Sequence, residues 1–302
     1  NVSIQGIIPP ILTPMNADES INEQELRSQV NREIEAGVHG IFAFGTNGEA
    51  YALSAAEKDR VLEVVIEETN HRVPVYAGTG CITTKETIEM SKKAAAMGAD
   101  VLSIITPYFA AASQDELYAH YMAVAEAVDL PIVLYNIPAR TGNALSPATV
   151  AKLAKNAPNI VGAKDSSGNF DNLKQYIEQT RGLDKEFSVL SGNDSLILPA
   201  LVFGGKGGIA GCANVFPGTM VEIYEAYMAG DLERAMRVQD SIRPLRAVFQ
   251  YGNPNTIIKI AAGLLGYPVG SCRKPFCQLS DQGMEALKKA LELCKAKRIR
   301  LA

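Results

Sequence analysis

A lysine closes one of the apolar segments of the chain. Residues 160–163 read Ile-Val-Gly-Ala, and Lys164 follows them directly. Burial disfavours the charged form of a lysine unless it is paired, and a neutral amine is a nucleophile that forms Schiff bases with carbonyl compounds. The position therefore indicates a catalytic amine. An ion pair with Asp165 and a side chain that reaches solvent are the two alternatives.

A tyrosine and an arginine follow a second apolar segment. Tyr135 comes directly after residues 132–134, which read Ile-Val-Leu, and Arg140 comes five positions later. A phenol at the end of a buried strand can transfer protons. A guanidinium can bind a carboxylate through two parallel hydrogen bonds. We interpret Tyr135 as a proton-transfer group and Arg140 as a carboxylate ligand; a core tyrosine and a solvated arginine are the alternatives.

A third apolar segment ends in residues 45–49, which read Gly-Thr-Asn-Gly-Glu. Two glycines let a backbone approach a ligand closely, and a run of N–H groups can bind an anion. Thr46 and Asn47 add side-chain donors, so the segment suits a small carboxylate. The alternative is an ordinary strand-to-helix turn with a capping hydroxyl.

Motifs for cofactors and metals do not occur in the sequence. The glycine-rich residues 204–209 are not followed by the Lys-Ser or Lys-Thr pair of a nucleotide P-loop. Residues 78–83 lack the third glycine of the dinucleotide fingerprint. The five cysteines form no CxxC pair, and the three histidines precede strands or lie in a helix. We therefore expect free cysteines, structural histidines, no metal site and no cofactor.

The candidate residues stand at the ends of strand-length apolar segments that alternate with helical segments. Continuous apolar segments are typical of parallel strands covered on both faces. The strand candidates are residues 7–12, 40–44, 73–78, 101–106, 132–136, 159–164, 187–192 and 208–212. Eight evenly spaced units predict a (β/α)₈ TIM barrel, with a doubly wound sheet as the alternative. In such barrels the active site lies at the carboxyl ends of the strands.

The end of the chain differs from this alternation, because no strand pattern follows residue 212. Helical patterns cover residues 220–229, 231–249, 256–265 and 281–296. We therefore divide the chain into a barrel catalytic domain, residues 1–230, and a C-terminal helical subdomain, residues 231–302.

Composition limits the kinds of partner. The 302 residues are 47% hydrophobic and 21% charged, with a net charge of −4, as in ordinary globular proteins. Dispersed, weakly acidic charge does not form the basic patch that binding to nucleic acid or to an anionic membrane requires. No apolar stretch is long enough to span a bilayer. Few cysteines and no signal-peptide pattern predict a cytoplasmic protein whose partner is a small molecule or another copy of itself.

Together these residues resemble the dihydrodipicolinate synthase / N-acetylneuraminate lyase family of pyruvate-dependent class I aldolases. The resemblance covers nearly the whole chain and is specific in order and spacing. The matching segments are residues 13–14, 45–49, 106–108, 135–141, 162–165 and 191–194.

The resemblance implies a mechanism without metal or organic cofactor, in which pyruvate forms a covalent imine on Lys164. The imine would become an enamine that attacks an aldehyde, and the reverse reaction would cleave a 2-keto-4-hydroxy acid. Tyr135 would transfer protons, and Thr46 and Asn47 would hold the pyruvate carboxylate. The carbonyl groups of Gly192 and Ile209 would line the lysine pocket. The resemblance also implies a homotetramer built from tight dimers.

Two departures from the synthase pattern leave the aldehyde open. Asn47 stands where the synthases carry a second hydroxyl residue. Phe109 occupies the position of the tyrosine that, in the synthases, completes a proton relay in a neighbouring subunit. Phenylalanine cannot transfer a proton. Arg140 favours a carboxylated aldehyde such as aspartate semialdehyde, whereas Asn47 is typical of 4-hydroxy-2-oxoglutarate aldolases. The nearest alternatives are therefore an aldolase for 4-hydroxy-2-oxoglutarate and an aldolase for 2-keto-3-deoxy sugar acids. A more remote alternative is a barrel that binds pyruvate without turnover.

Overall fold

A computed structural model describes residues 2–301, with side chains to residue 298. The chain forms two compact units. One comprises Pro74–Ile209 with the N-terminal residues up to Gly6, and the other comprises Ile7–Val73 with the residues from Ala210 onward.

Strands and helices alternate along the chain as the sequence predicts. The strands are β1 Gly6–Ile8, β2 Ile41–Ala43, β3 Val75–Gly78, β4 Val101–Ile105, β5 Ile132–Asn136, β6 Ile160–Asp165, β7 Ser188–Ser191 and β8 Gly207–Ile209. The α-helices are α1 Glu23–Glu35, α2 Ala55–Thr69, α3 Thr84–Met97, α4 Gln114–Ala127, α5 Pro138–Thr141, α6 Pro147–Asn156, α7 Phe170–Thr180, α8 Ile197–Val202, α9 Pro217–Met228, α10 Leu232–Ser241, α11 Arg243–Ala247, α12 Pro254–Leu264 and α13 Asp281–Leu301.

All eight strands belong to one sheet with the order β1-β8-β7-β6-β5-β4-β3-β2. The chain just after β1 also runs parallel to β2, since Pro10 and Phe42 form an isolated bridge. Parallel strands in this order, separated by helices, constitute a (β/α)₈ barrel. The predicted fold class is therefore confirmed.

Strands β3 to β8 are the interior of the first unit. Residues of β4 and β5 are almost entirely buried, including Leu102, Val133 and Leu134 at 0% exposure. Their branched and aliphatic side chains suit strands that are covered on both faces. Tyr121 of α4 is buried against them, and its phenol donates a 2.9 Å hydrogen bond to the Ile104 carbonyl.

Local sequence signals fix several helix starts. Ser54 with Glu57 and Ser113 with Glu116 form complete capping boxes. The Thr83 hydroxyl accepts a hydrogen bond from the Glu86 N–H. Strand β1 is shorter than the predicted residues 7–12, because the prolines that follow it have no N–H for a ladder.

The C-terminal segment is helical, but its second helix differs from the prediction. The predicted helix over residues 231–249 is divided into α10 and α11, and Pro244 lies in the first turn of α11. Proline lacks the N–H that would continue α10 and is well accommodated at a helix start. The predicted domain boundary at residue 230 stays a prediction.

None of the described helices is long and apolar enough to cross a membrane.

Candidate active site

Lys164 and Tyr135 are direct neighbours on adjacent strands. The register of β5 and β6 pairs Tyr135 with Lys164 and Asn136 with Asp165. The lysine Nζ lies 3.9 Å from the centroid of the tyrosine ring. Both side chains are buried, at 4% and 3% exposure. The structure thus brings together, near the carboxyl ends of two strands, the amine and the phenol that the sequence singles out.

Gly192 leaves the space that the lysine side chain occupies. The residue follows β7, and its N–H donates a 2.8 Å hydrogen bond to the Asp165 carbonyl. A Cβ atom at position 192 would lie 2.8 Å from Cε of Lys164, and it would also collide with the Ser166 side chain. A larger residue would therefore displace the side chain of Lys164 or Ser166, and glycine leaves both in place.

Asp165 anchors the strand ends beside the lysine. Its carboxylate accepts hydrogen bonds from Nδ2 of Asn136 at 2.9 Å and from the Ser167 hydroxyl at 2.8 Å. Burial raises the pKa of Asp165, and these hydrogen bonds oppose that shift. Since successive side chains of a strand point to opposite faces, Asp165 is directed away from the face that carries Lys164.

Asn136 was not predicted as a site residue, although it directly follows Tyr135. Its amide donates to Asp165 and its oxygen accepts a 2.9 Å hydrogen bond from the Leu145 N–H. A buried polar side chain at a strand end, one position past a functional residue, is the sequence signal that identifies such a support.

Arg140 lies on the short helix α5, which begins two residues after β5. The residue is exposed, so its guanidinium is accessible to a ligand. Its helix is tied to the segment that carries Phe109, because the Phe109 N–H donates a 3.2 Å hydrogen bond to the Thr141 carbonyl.

Phe109 is the most exposed large apolar residue described, at 96% exposure. Its φ of 75° lies in the left-handed region, which is unusual for an aromatic residue. The buried Asn143 holds this backbone from both sides: its Nδ2 donates to the carbonyls of Pro107 and Ala110, and its Oδ1 accepts from the Ala112 N–H. The neighbouring Tyr108 is half-buried, and burial raises the pKa of its phenol.

Ile209 ends strand β8 and is buried, at 1% exposure. The preceding Gly208 is tightly enclosed, since a Cβ atom there would lie 2.7 Å from the Ile197 side chain. The glycine-rich segment before Ile209 therefore serves close packing of β8, which agrees with rejecting a nucleotide loop.

The segment 45–49 lies in the other unit, directly after β2. A Cβ atom at Gly48 would lie 2.9 Å from the Ile11 carbonyl oxygen, so this glycine permits a close backbone approach. The Thr46 carbonyl accepts a 2.8 Å hydrogen bond from Nδ2 of Asn255. The side chain of Asn47 lies close to Gly211, where a Cβ atom would be 3.2 Å from its Oδ1.

Glu49 closes this segment with a buried ion pair that the sequence analysis missed. Its Oε2 lies 2.6 Å from Nζ of Lys259, and both side chains are 1% exposed. Its Oε1 accepts a 2.8 Å hydrogen bond from the Arg273 N–H. A lone lysine within the apolar residues 257–262 was the signal, because such a charge is found buried only when it is paired.

The histidines and cysteines have structural surroundings. His39 accepts a hydrogen bond from the Ile7 N–H, and His120 is hydrogen-bonded to the Thr84 hydroxyl. Burial lowers the pKa of both imidazoles. The five cysteines all lie in the described part of the chain, and no disulfide joins them. Over the described part of the chain, no three His, Cys, Asp or Glu side chains are grouped so that they could hold a metal ion.

Comparison with known proteins decides the family. The model of the dihydrodipicolinate synthetase family matches residues 3–294. The chain belongs to this family. A 4-hydroxy-tetrahydrodipicolinate synthase of Methanopyrus kandleri is 44% identical over 291 residues, which cover 96% of each chain. The chain is accordingly a lyase-type enzyme similar to the dihydrodipicolinate synthases.

Solved structures of the family agree with this assignment. The 4-hydroxy-tetrahydrodipicolinate synthase of Methylacidiphilum fumariolicum superimposes with a TM-score of 0.95 at 32% identity, covering 99% of this chain and 98% of that one. The dihydrodipicolinate synthase of Acinetobacter baumannii, solved as a complex with pyruvate, gives a TM-score of 0.93 at 37% identity, with 97% and 99% covered.

Proposed function

We propose that the enzyme joins pyruvate to a small carboxylated aldehyde through an imine on Lys164. The observation that carries the proposal is the buried Lys164 amine, 3.9 Å from the ring of Tyr135 in a synthase-family chain. Pyruvate bound to the Acinetobacter baumannii relative supports the choice of keto acid.

The proposed reaction begins when the Lys164 amine attacks the pyruvate ketone carbon, and water leaves as the imine forms. The protonated imine withdraws electrons, so the methyl carbon loses a proton and becomes the enamine nucleophile. That carbon bonds to the aldehyde carbon, and the aldehyde oxygen takes up a proton. Hydrolysis of the imine then releases the product and restores the amine. The covalent imine takes the place of a metal or organic cofactor.

Tyr135 is the proposed proton-transfer group. The phenol belongs to the side chain that faces Lys164, and it lies within the buried end of β5. A phenol in such surroundings can pass a proton between the carbinolamine, the imine carbon and the aldehyde oxygen. Gly192 and Ile209 would line the lysine pocket through their carbonyl groups, which can orient the proton-bearing groups of the intermediate.

Thr46 and Asn47 are the proposed ligands of the pyruvate carboxylate. Their segment offers backbone N–H groups, a hydroxyl and an amide in one tight turn. Donors of this kind suit a small anion. Arg140, exposed on α5, is the proposed ligand of the aldehyde's carboxylate, because a guanidinium binds a carboxylate with two parallel hydrogen bonds.

A homotetramer is the proposed assembly, and Phe109 is its most informative residue. Phe109 is 96% exposed, and Asn143 holds the backbone around it, so its ring is available for contact with a second copy. Sedimentation velocity measures the assembly directly. A solved family member is described as a monomeric variant, so a monomer is a real alternative outcome.

Asn47 favours a second candidate, an aldolase for 4-hydroxy-2-oxoglutarate; an aldolase for 2-keto-3-deoxy sugar acids is tested beside it. The deciding experiment first traps the imine with borohydride in the presence of pyruvate and identifies the modified peptide by mass spectrometry. Condensation with aspartate semialdehyde is then compared with retro-aldol cleavage of those acids. An adduct on Lys164 with faster condensation supports the proposal; a folded protein without an adduct refutes it.

A further inference from the structure

Helix α12, in the C-terminal part of the chain, contacts Thr46 and Glu49 of the segment 45–49. Asn255 and Lys259 are four residues apart and therefore lie on one face of the helix. Asn255 donates from Nδ2 to the Thr46 carbonyl at 2.8 Å, and Lys259 pairs with Glu49 at 2.6 Å. All these residues belong to the same compact unit.

The contact of Asn255 orients a peptide group. A trans peptide is planar, so the carbonyl of one residue and the N–H of the next point in opposite directions. Because the Thr46 carbonyl is directed at Asn255, the Asn47 N–H is directed away from α12. That N–H is one of the donors proposed above for the pyruvate carboxylate.

The contact of Lys259 fixes the end of the same turn. Glu49 has φ 59° and ψ 39°, a left-handed conformation that a glutamate adopts at some cost. Its N–H donates a 3.0 Å hydrogen bond to the Thr46 carbonyl, which closes the turn. The buried ion pair and the hydrogen bond from the Arg273 N–H hold the Glu49 side chain in this arrangement.

We propose that Asn255 and Lys259 are positioning residues for substrate binding: they hold the Thr46–Asn47 peptide in the orientation that binds the pyruvate carboxylate. They act through the segment 45–49 and do not touch the substrate. Helix α12, which lies outside the repeating strand–helix units, thereby sets the affinity of the enzyme for pyruvate. This inference rests on the proposed function.

The test is the variant Asn255→Ala, which removes the amide donor of α12 while the Glu49 N–H still donates to the Thr46 carbonyl. Thr256→Val is the matched control, since Thr256 has the same 2% exposure on the same helix. Its hydroxyl donates to the Phe276 carbonyl and not to the segment 45–49. Asn255→Ala loses the hydrogen bonds to the Thr46 carbonyl and to the Tyr51 hydroxyl, and Thr256→Val loses the one to the Phe276 carbonyl. Both variants should therefore lose thermal stability.

Kinetic constants separate positioning from general destabilisation. We expect Asn255→Ala to raise KM for pyruvate about tenfold, because a displaced donor group binds its ligand poorly. The KM for the aldehyde and the KM values of Thr256→Val should change less than about twofold by the same reasoning. Since KM does not depend on the folded fraction of a preparation, the comparison holds even for an unstable variant.

A second variant, Lys259→Met, tests the same proposal. The fraction of enzyme that borohydride traps as the pyruvate adduct is measured against pyruvate concentration. A shift of its half-saturation to higher pyruvate supports the positioning role. Equal pyruvate constants in Asn255→Ala, Thr256→Val and the parent enzyme would overturn it. If the parent enzyme itself formed no imine, the proposed function would fail instead, so the two failures are distinguishable.

Discussion

The ion pair between Lys259 and Glu49 provides the sharpest prediction about stability. All three ammonium protons of Lys259 have acceptors: Glu49 at 2.6 Å, the Thr13 carbonyl at 2.7 Å and the Ser271 carbonyl at 3.1 Å. Lys259→Met removes the cation and leaves the Glu49 carboxylate buried without its countercharge. Breaking a buried pair by removal of one partner typically costs about 3–5 kcal/mol.

That cost can be read as a change in melting temperature. For a domain of about 150–250 residues, 1 kcal/mol shifts Tm by about 2–4 °C. Lys259→Met should therefore lower Tm by at least about 6 °C at neutral pH. The double variant Lys259→Met with Glu49→Gln should recover part of the lost Tm, because neither position then carries a buried charge.

An exposed pair supplies the control for this experiment. Arg60 contacts Glu23 at 2.7 Å, but these side chains are 43% and 39% exposed. Solvent screens such a pair, so Arg60→Met should lower Tm much less than Lys259→Met does. Differential scanning fluorimetry of the parent enzyme and these three variants gives the comparison. Equal Tm losses in Lys259→Met and Arg60→Met, or no recovery in the double variant, would refute the argument from burial.

The remaining predictions concern the site and one partly exposed ion pair. Gly192→Ala should lower the rate of imine formation by about tenfold or more, because its Cβ displaces Lys164; trapping rates at saturating pyruvate measure this. Arg140→Ala should raise KM for a carboxylated aldehyde at least about tenfold and leave KM for pyruvate unchanged, and equal effects on both substrates would contradict the assigned role. The Arg273 guanidinium lowers the pKa of Glu57 to about 2, from 4.5, so this pair stabilises the fold above pH 4.5 and the contribution is lost as pH falls towards 2. The Tm difference between the parent and Glu57→Gln should accordingly narrow from pH 5 to pH 2; a constant difference would show that Glu57 does not titrate there.

Local signals predicted the barrel well, because each strand of a parallel sheet is a short apolar segment in its own right. Strand β5 occupies the predicted residues, and the strands nearest the lysine are displaced by one residue or less at their ends. At two places the apolar pattern continues past a proline but the predicted element does not: β1 ends before the prolines that follow it, and the helix predicted over residues 231–249 is divided near Pro244. A missing N–H ends a ladder or divides a helix even when the hydrophobic period persists.

The lysine and the tyrosine were accessible from sequence because both directly follow buried segments. Their 3.9 Å proximity was not, because register depends on how two strands separated along the chain align. Asn255 and Lys259 were missed for a related reason. Their partners Thr46 and Glu49 are more than 200 positions away, and only the folded chain reveals which carbonyl or carboxylate a buried polar side chain meets.

The two groups of candidate site residues are supported in different ways, which predicts different effects of substitution on the proposed reaction. Lys164 and Tyr135 stand on paired strands whose ends are held by Asn136 and Asp165, so their geometry is as rigid as the sheet. The segment 45–49 follows the three-residue strand β2, and its turn is held by Asn255 and Lys259 of α12. Precise positioning of reacting groups is worth several orders of magnitude in rate. Substitutions in α12 should therefore alter substrate binding while leaving the chemistry at Lys164 intact, whereas substitutions at Asn136 or Asp165 should alter the chemistry itself.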